Sequence, residues 1–438
     1  MRYFSTQNPE GATYSFDEAV MNGRAPDGGL FVPCDIPRLP QAFFKNISRM
    51  SLKEVCFAVA NYALQGDVEA TVLKDIIYET MNYDMPLKEV EKDRYMLELF
   101  HGPTLNFKDS GARLFGRLLS YIHKRQTPKR SDFLNVLLTT SGNTGSAVAN
   151  GLLGMDDVRV FVLYPVDVLS PMQEALFTTL GKNVTAIEVN GTIDDCKNLA
   201  QKSFSDIEVS EKMRFTSATS TNIARLLPQM FHYFWIYACL QRNGRDVNNI
   251  VVSVPCGNLG NLLSGLIAKR MGLPIKRFVA AENVNHPFVN YLNNGEYIPM
   301  FSAPSIAPAL DKGNPRNIAR IKRLYDNDVE ALRKDVSGVI VTDEMAKQEI
   351  LHQWKNHKYL LDPHSAVASA ALSQDLQPGE VGVALCTAHP VKLRRFVQSI
   401  INEPIELPVS ITPLAEKPRQ IIHINSGFKS LKDYFLSL

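Results

Sequence analysis

The sequence has no uninterrupted apolar run long enough to span a bilayer, and residues 1–12 lack the apolar stretch of a signal peptide. We therefore expect a cytoplasmic protein that does not associate with a membrane. Its six cysteines include no C-x-x-C pair. Several of them lie within apolar runs, as buried thiols do, so neither a disulfide framework nor a metal site is expected.

A strong excess of charge of either sign is also missing. The formal net charge is +2 over 438 residues, too small a basic excess for a dedicated nucleic-acid binder. Neither a Walker A sequence nor a G-x-G-x-x-G loop occurs, which argues against a protein that binds nucleotides through these loops. The composition that remains is globular, with 45% hydrophobic residues in a chain long enough for two or three domains.

Apolar β-rich runs alternate with helical patterns from about residue 95, which predicts an α/β fold with mainly parallel sheets. The predicted strands are Phe133–Thr139, Val158–Tyr164, Val184–Val189, Ile250–Val254, Lys276–Ala281 and Val381–Cys386. The predicted helices are Thr144–Leu153, one that starts at Ser170, Ile193–Phe204, Ser220–Arg242, Leu262–Met271 and Val391–Ile401. Residues 287–315 are rich in Pro and Asn and are predicted to form a loop. The first 90 residues are mixed, with helices predicted near Ser15–Asn22 and Leu52–Leu64.

Two glycine-rich segments each lie between a predicted strand and a predicted helix. They are the first glycine loop, Thr140–Gly145, and the second glycine loop, Gly257–Asn261. Backbone N–H groups at a helix N-terminus favour an anion, and glycines allow close backbone approach. Each loop alone is compatible with an ordinary tight turn, but ligands of open α/β sheets bind where such loops meet. The pair therefore suits two anionic groups in one site.

Two other segments carry candidate chemistry. The lysine loop, Leu99–Asp109, places Lys108 at the start of a helix after a run of apolar and small residues. Burial lowers the pKa of a lysine, and a neutral amine can form a Schiff base. Cys386–Pro390 lies at the end of a predicted strand and offers the neutral hydroxyl of Thr387.

Together these segments resemble the fold-type II pyridoxal-phosphate (PLP) enzymes and, among them, the threonine synthase family. The family patterns are F-H-G-P-T-x-x-F-K-D, T-S-G-[DN]-T-G, G-N-x-G-N, D-P-H-x-A-V and T-A-H-P. This sequence matches them in the same order at Phe100–Asp109, Thr140–Gly145, Gly257–Asn261, Asp362–Val367 and Thr387–Pro390. Asp27–Pro33 also resembles the N-terminal domain of that family, so the resemblance extends from near residue 1 to about residue 400.

The resemblance implies the tryptophan-synthase-β-like fold, with two α/β domains and an N-terminal domain. We predict the N-terminal domain at 1–92, a domain with the lysine and the substrate loop at 93–240, and a domain that binds the cofactor phosphate at 241–438. Lys108 is implied to be catalytic and to carry PLP as a Schiff base. The resemblance also implies that the cofactor phosphate is held by Gly257, Asn258, Leu259, Gly260 and Asn261. It implies further that Asn143 contacts the ring hydroxyl of the cofactor and that the Thr387 hydroxyl is the partner of its pyridine nitrogen. Ser141, Gly142 and Thr144 are implied to hold the substrate carboxylate.

The reaction implied by the resemblance converts O-phospho-L-homoserine and water to L-threonine and phosphate, by γ-elimination and β-addition of water. Such an enzyme is a lyase of amino-acid biosynthesis with a small-molecule substrate, and we expect it to be a monomer or a homodimer. The substrate phosphate needs cationic partners. Arg113, which matches an arginine of the family pattern, and Arg225 are the two candidates.

Several positions depart from the family pattern near the expected substrate. Asn143 stands where many bacterial members have Asp, and Ala309–Gly313 replaces a segment that usually reads A-M-D-I-S. Ser110 and Ala112 stand where the family often has Phe and Gly. The alternatives are therefore a related PLP-dependent phospholyase or β-replacement enzyme acting on another amino acid, or a non-catalytic PLP-binding homologue. The identity of the product separates these possibilities.

Overall fold

The computed structural model describes residues 1–64, 66–126, 133–216, 218–409, 411–415 and 417–438. Fourteen strands lie within these ranges. They are β1 (Arg2–Ser5), β2 (Tyr14–Ser15), β3 (Phe31–Pro33), β4 (Leu87–Glu91), β5 (Arg94–Glu98), β6 (Leu134–Thr139), β7 (Val158–Pro165), β8 (Val184–Asn190), β9 (Phe215–Thr216), β10 (Ile250–Pro255), β11 (Ile275–Glu282), β12 (Val336–Ile340), β13 (Val381–Cys386) and β14 (Ile421–Asn425).

Helices connect most of these strands and cover the sheets. Within the same ranges they are α1 (Phe16–Asn22), α2 (Gln41–Asn46), α3 (Leu52–Leu64), α4 (Ala70–Thr80), α5 (Lys108–Gln126), α6 (Asn143–Gly151), α7 (Pro171–Thr178), α8 (Ile193–Ser205), α9 (Ile207–Met213), α10 (Leu227–Arg242), α11 (Gly260–Arg270), α12 (Pro287–Asn294), α13 (Ile318–Leu324), α14 (Val329–Arg333), α15 (Asp343–His357), α16 (Pro363–Asp375), α17 (Arg394–Ile401) and α18 (Phe428–Ser437). None of these helices is long and apolar enough to cross a membrane.

The strands form three sheets. The large sheet has the order β12-β11-β10-β13-β5-β4 and is parallel except for the β4–β5 pair. The second sheet, β14-β8-β7-β6-β9, is parallel throughout. A small antiparallel sheet, β2-β1-β3, belongs to the N-terminal part. The predicted α/β fold with mainly parallel sheets is thus confirmed.

Alternate residues of the large sheet supply two different apolar cores. Val252 and Val383 pack in the core that includes α10 and α11, whereas Val251 and Ala384 pack in the core under α16. Every residue of β10 and β13 is buried because helices cover both faces of the sheet. The loops at the carboxyl ends of these two strands are therefore held on a rigid base.

Three local predictions differ from the structure. Residues 287–315, predicted to be a loop, contain α12, because Pro287 suits the first helical turn and Glu282 Oε2 accepts from the Val289 N–H at 2.8 Å. The helix predicted from Ser220 begins at Leu227, after a 3-10 turn over Ile223–Arg225. The helix predicted from Val391 begins as a 3-10 turn over Pro390–Leu393 and continues as α17.

The predicted domain boundaries divide the chain differently from the sheets. Strand β5 falls within 93–240 but pairs with β13 of the large sheet. Strand β14 falls within 241–438 but pairs with β8 of the second sheet. Both crossings join parts of the chain that are far apart in sequence, and strand periodicity carries no information about such pairing.

Candidate active site

The lysine loop is held in shape by its own polar side chains. The Thr104 backbone N–H donates to Asp109 Oδ2 at 2.8 Å, and the Thr104 hydroxyl donates to Asp109 Oδ1. Asn106 Nδ2 donates to Thr104 Oγ1 at 2.7 Å, and Asn106 Oδ1 accepts from the Lys108 N–H at 3.0 Å. Thr104, Asn106 and Asp109 are all buried. Lys108 therefore begins α5 from a fixed position.

The environment of Lys108 favours its neutral form. Burial is the main reason that the pKa of Lys108 is lowered to about 7. The positive charges of Arg225, Lys312 and Lys392 lower the pKa in the same direction. A large fraction of the Lys108 amine is therefore uncharged near neutral pH and available as a nucleophile.

Thr387 forms the wall beside the lysine loop. Its carbonyl accepts from the Phe107 N–H at 2.9 Å, and the His389 N–H donates to the Leu105 carbonyl at 3.0 Å. These bonds join the end of β13 to the residues just before Lys108. Thr387 is 7% exposed, and none of the hydrogen bonds between described residues uses its hydroxyl. That hydroxyl is free to meet a ligand.

The first glycine loop wraps around one hydroxyl. Thr140 Oγ1 accepts from the N–H groups of Gly142 at 3.1 Å and Gly145 at 3.0 Å. A Cβ atom on Gly145 would lie 2.3 Å from Thr140 Cγ2, so a larger residue does not fit. The loop leads directly into α6, whose N-terminal dipole favours a negative charge.

The outer side of the first glycine loop has unused polar groups. In the described chain the N–H groups of Ser141, Asn143 and Thr144 donate no hydrogen bond. Asn143 Oδ1 is buried and has no hydrogen-bond partner among the residues that the structure describes. Thr144 Oγ1 accepts from Lys108 Nζ at 3.2 Å, which brings the loop and the lysine together. These groups could bind an anion and a polar ring substituent beside Lys108.

The second glycine loop has backbone N–H groups without hydrogen-bond partners in the described chain, and its residues pack closely against the segment around Ala309. Within the described residues no backbone N–H of 257–261 donates a hydrogen bond. A Cβ atom on Gly257 would lie 2.6 Å from the Ala309 carbonyl oxygen. Leu259 has φ 58°, a left-handed conformation that turns the chain into α11. Asn261 Nδ2 is buried without a partner, whereas Asn261 Oδ1 accepts from the Tyr233 hydroxyl at 2.7 Å.

Arg225 supplies a buried positive charge next to α5. It is 3% exposed, and its Nη1 donates to the Ala218 carbonyl at 2.9 Å. Its Nε is buried without a partner, and no carboxylate of the described chain pairs with it. A Cβ atom on Gly111 of α5 would lie 2.9 Å from the Arg225 carbonyl. Burial lowers the pKa of Arg225 to about 10, so the guanidinium stays charged at neutral pH.

Arg113, the other predicted phosphate partner, is used elsewhere. Its Nη1 donates to Asn82 Oδ1 at 2.8 Å and its Nη2 to the Glu79 carbonyl at 3.0 Å. The guanidinium also lies over the Tyr83 ring, with Arg113 Cζ 5.8 Å from the ring centroid. The structure thus ties Arg113 to the end of α4, and it is not among the cations that act on Lys108. A position five residues after Lys108 on a helix is rotated by about 140°, which explains the difference.

Two cations of the site were not predicted. Lys392 is 4% exposed, its Nζ donates to the Thr104 carbonyl at 2.7 Å, and burial lowers its pKa to about 8. No sequence signal connects Lys392 to Thr104, which lies 288 residues away. Lys312 could have been found, because it lies in the segment Ala309–Gly313 that departs from the family pattern. One group of three possible metal ligands also occurs among the described residues, Glu91, His352 and His357, but none of them belongs to the loops of this site.

These features meet the requirements of PLP. PLP has an aldehyde, a phosphate and a ring with polar substituents. The site offers the neutral amine of Lys108 for the aldehyde and the free N–H groups of the second glycine loop for the phosphate. The unpaired Asn143 oxygen and the free Thr387 hydroxyl are available to the ring. The residues that would hold it are those predicted, namely Lys108, Asn143, Gly257, Asn258, Leu259, Gly260, Asn261 and Thr387.

Comparisons with known proteins agree with the class of this site. A family model described as pyridoxal-phosphate dependent enzyme matches residues 88–387, and one described as threonine synthase N terminus matches residues 2–81. Threonine synthase from Haemophilus influenzae is 35% identical over 436 residues and covers 100% of both chains. The crystal structure of threonine synthase from Escherichia coli superposes with a TM-score of 0.88 at 33% identity, covering 100% of both chains.

A PLP-bound threonine synthase structure from Brucella melitensis superposes with a TM-score of 0.93 at 28% identity, covering 99% of this chain and 98% of that one. The fold and the site therefore define a fold-type II PLP-dependent enzyme with pyridoxal phosphate as its cofactor. Within this class, the chain belongs to the threonine synthase family.

Proposed function

We propose that this chain converts O-phospho-L-homoserine and water to L-threonine and phosphate, with Lys108 as the lysine that carries PLP. The observation that carries the proposal is the position of Lys108, whose pKa of about 7 suits proton transfer, near a buried arginine that lacks a carboxylate partner. PLP supplies an electron sink for the carbon skeleton of the substrate when it is bound.

Lys108 is the proton carrier in this proposal. Its Nζ accepts a proton from the substrate carbon chain in the neutral form and returns it in the charged form. The hydrogen bond between Lys108 Nζ and Thr144 Oγ1, at 3.2 Å, orients the amine toward the first glycine loop. A group with a pKa near the working pH serves equally as acid and base, which both halves of this reaction require.

The anions of the substrate are assigned to separate places. The open N–H groups of Ser141, Asn143 and Thr144 receive its carboxylate, at the N-terminus of α6. Arg225 receives its phosphate, because a desolvated guanidinium pairs strongly with phosphate oxygens. Arg225 replaces Arg113 as the main phosphate partner, since the Arg113 guanidinium already binds Asn82 and Glu79. Lys312 adds a further positive charge that acts on Lys108.

Product identification in ¹⁸O-labelled water tests the reaction. Cleavage of the bond between Cγ and the phosphate oxygen releases phosphate with its bridging oxygen, and water then adds at Cβ. We expect one ¹⁸O atom in the threonine hydroxyl and none in newly released phosphate. Formation of 2-ketobutyrate and ammonia in place of threonine would instead identify a phospholyase, one of the alternatives left open by the sequence.

The proposed function also includes the domain boundaries, the cellular location and the oligomeric state predicted from the sequence. We propose that 1–92, 93–240 and 241–438 act as the N-terminal, substrate-loop and cofactor-phosphate parts of one catalytic unit. A cytoplasmic location and a monomeric or homodimeric state stay predictions, and light scattering of the purified chain measures the second of them.

A further inference from the structure

The first turn of α16 contains a buried charged group that the reaction does not use directly. Asp362 is the N-cap residue of α16 and accepts from the backbone N–H groups of His364 at 3.2 Å and Ser365 at 3.0 Å. These two bonds complete an ordinary helix cap. Asp362 is nevertheless 1% exposed and accepts two more bonds, from His364 Nδ1 at 2.5 Å and from the Ser365 hydroxyl.

The hydrogen bond from Ser365 to Asp362 is one of two side-chain connections, here called arms. The Ser365 arm connects Asp362 to Thr387, which lies where the cofactor ring would bind. Because the Ser365 hydroxyl donates its single proton to Asp362, its oxygen is left as an acceptor. It accepts from the Thr387 N–H at 3.2 Å. Ser365 thereby holds the backbone of Thr387 at the end of β13, and the free hydroxyl of Thr387 is the group that would meet the pyridine nitrogen of PLP.

The His364 arm connects Asp362 to the second glycine loop, which is predicted to bind the cofactor phosphate. With Nδ1 donating to Asp362, the imidazole presents Nε2 as an acceptor, and the Ala309 N–H donates to Nε2 at 3.2 Å. The Ala309 carbonyl lies against Gly257, where an added Cβ would approach it to 2.6 Å. Asp362 thus sets the ring tautomer of His364, and His364 sets the position of the segment that supports the second glycine loop.

We propose that Asp362, His364 and Ser365 form a positioning unit that couples the ring-nitrogen wall at Thr387 to the cofactor-phosphate loop at Gly257. The proposal rests on the proposed function and on the residues named above as those that would hold PLP, Thr387 and Gly257 among them. It assigns no direct contact with cofactor or substrate to the unit. A buried carboxylate is costly unless its bonds are satisfied, and here two of the four bonds come from side chains that contact the site.

Variants that remove either the Ser365 hydroxyl or the His364 imidazole test the two arms separately. We expect Ser365→Ala to shift the pH midpoint of the visible band of the bound cofactor by about half a unit or more, with at most about threefold weaker PLP binding. We expect His364→Phe to weaken PLP binding by about tenfold, the loss of about one buried hydrogen bond, with the midpoint unchanged. Ser365→Thr retains the hydroxyl and should restore the parent midpoint.

The matched control is Asp328→Asn. Asp328 caps α14 through the N–H groups of Glu330 and Ala331, and among the described residues no side chain donates to it, so its loss should lower thermal stability alone. If Ser365→Ala and His364→Phe behave like this control, with parent midpoint and PLP affinity, the positioning unit is refuted. The cofactor band and the PLP affinity are both measured without substrate. If the wild-type protein forms ketobutyrate instead of threonine, the proposed reaction is refuted, but the test of the positioning unit still applies.

Discussion

In the lysine loop Thr104, Asn106 and Asp109 bond to one another, whereas in the second glycine loop the N–H groups of 257–261 bond to nothing in the described chain. The lysine loop follows β5 and the second glycine loop follows β10, two strands of the large sheet, and both loops contribute to the same site. The difference shows two uses of polar groups. Internal bonds fix the direction of a reactive amine, while open donors leave the binding energy for the ligand.

The largest expected effect is at the reactive end of the lysine loop. Lys108→Ala should lower threonine formation by at least about 10³-fold, because the proton carrier and the point of cofactor attachment are lost together. The absence of the visible band and of borohydride labelling, with unchanged far-UV circular dichroism, would confirm it. Lys124→Ala, an exposed lysine on the same helix, serves as the control. A labelled lysine in the Lys108→Ala protein would contradict the assignment.

Removal of the buried cation should give the next largest effect. Arg225→Met is expected to raise KM for O-phosphohomoserine by about 100-fold and to leave the visible band intact, because a desolvated charge pair with the substrate phosphate is lost. Arg113→Ala should change KM by less than about threefold and lower the thermal midpoint, since Arg113 binds Asn82 and Glu79. A larger KM effect for Arg113→Ala than for Arg225→Met would reverse the assignment.

The open donors of the second glycine loop depend on close packing. Gly257→Ala places a Cβ 2.6 Å from the Ala309 carbonyl and should weaken PLP binding by about tenfold, because either the loop or Ala309 must move. Equilibrium dialysis of the apoprotein measures this. Gly427→Ala, where no heavy atom lies within 4 Å of the new Cβ, is the matched control. Equal PLP affinity in both variants would show that the loop does not hold the phosphate.

The pH dependence of cofactor attachment reports on the pKa of the Lys108 amine. Only the neutral amine attacks an aldehyde, and the pKa of Lys108 is lowered to about 7. The attachment rate of the apoprotein should therefore rise about tenfold per pH unit below pH 7 and level off above it. Stopped-flow absorbance measures the rate. A rise that continues to pH 10, as for an exposed lysine, would show that burial does not set the pKa.

The smallest expected effect concerns the internal bonds of the lysine loop. Thr104→Val removes the hydroxyl that joins Asp109 and Asn106 and should destabilise the fold by about 1 kcal/mol, with a few-fold lower kcat and unchanged KM. Urea unfolding and steady-state kinetics provide both numbers. A change confined to KM would mean that Thr104 belongs to the binding surface instead of the frame of Lys108.

Much of the site could be predicted from sequence because its parts are local. Each glycine loop is a strand–turn–helix, and the lysine loop folds around contacts within residues 104–109, so short motifs carry their geometry. The two candidate phosphate partners, which stay predictions, depend on contacts between distant parts of the chain. Arg113 is near Lys108 in sequence but lies on another face of α5, whereas Arg225 is brought to the site by the turn before α10.

The amino-acid sequence by itself determined the α/β class and the family, and it predicted the lysine and the two glycine loops, because each depends on residues close together in the chain. Only the tertiary structure decided which cations surround Lys108, how Lys392 reaches Thr104, and how Asp362 joins Thr387 to Ala309. These contacts cross between strands and helices that are distant in sequence. Their geometry follows from sheet order and helix rotation, which no short pattern of residues specifies.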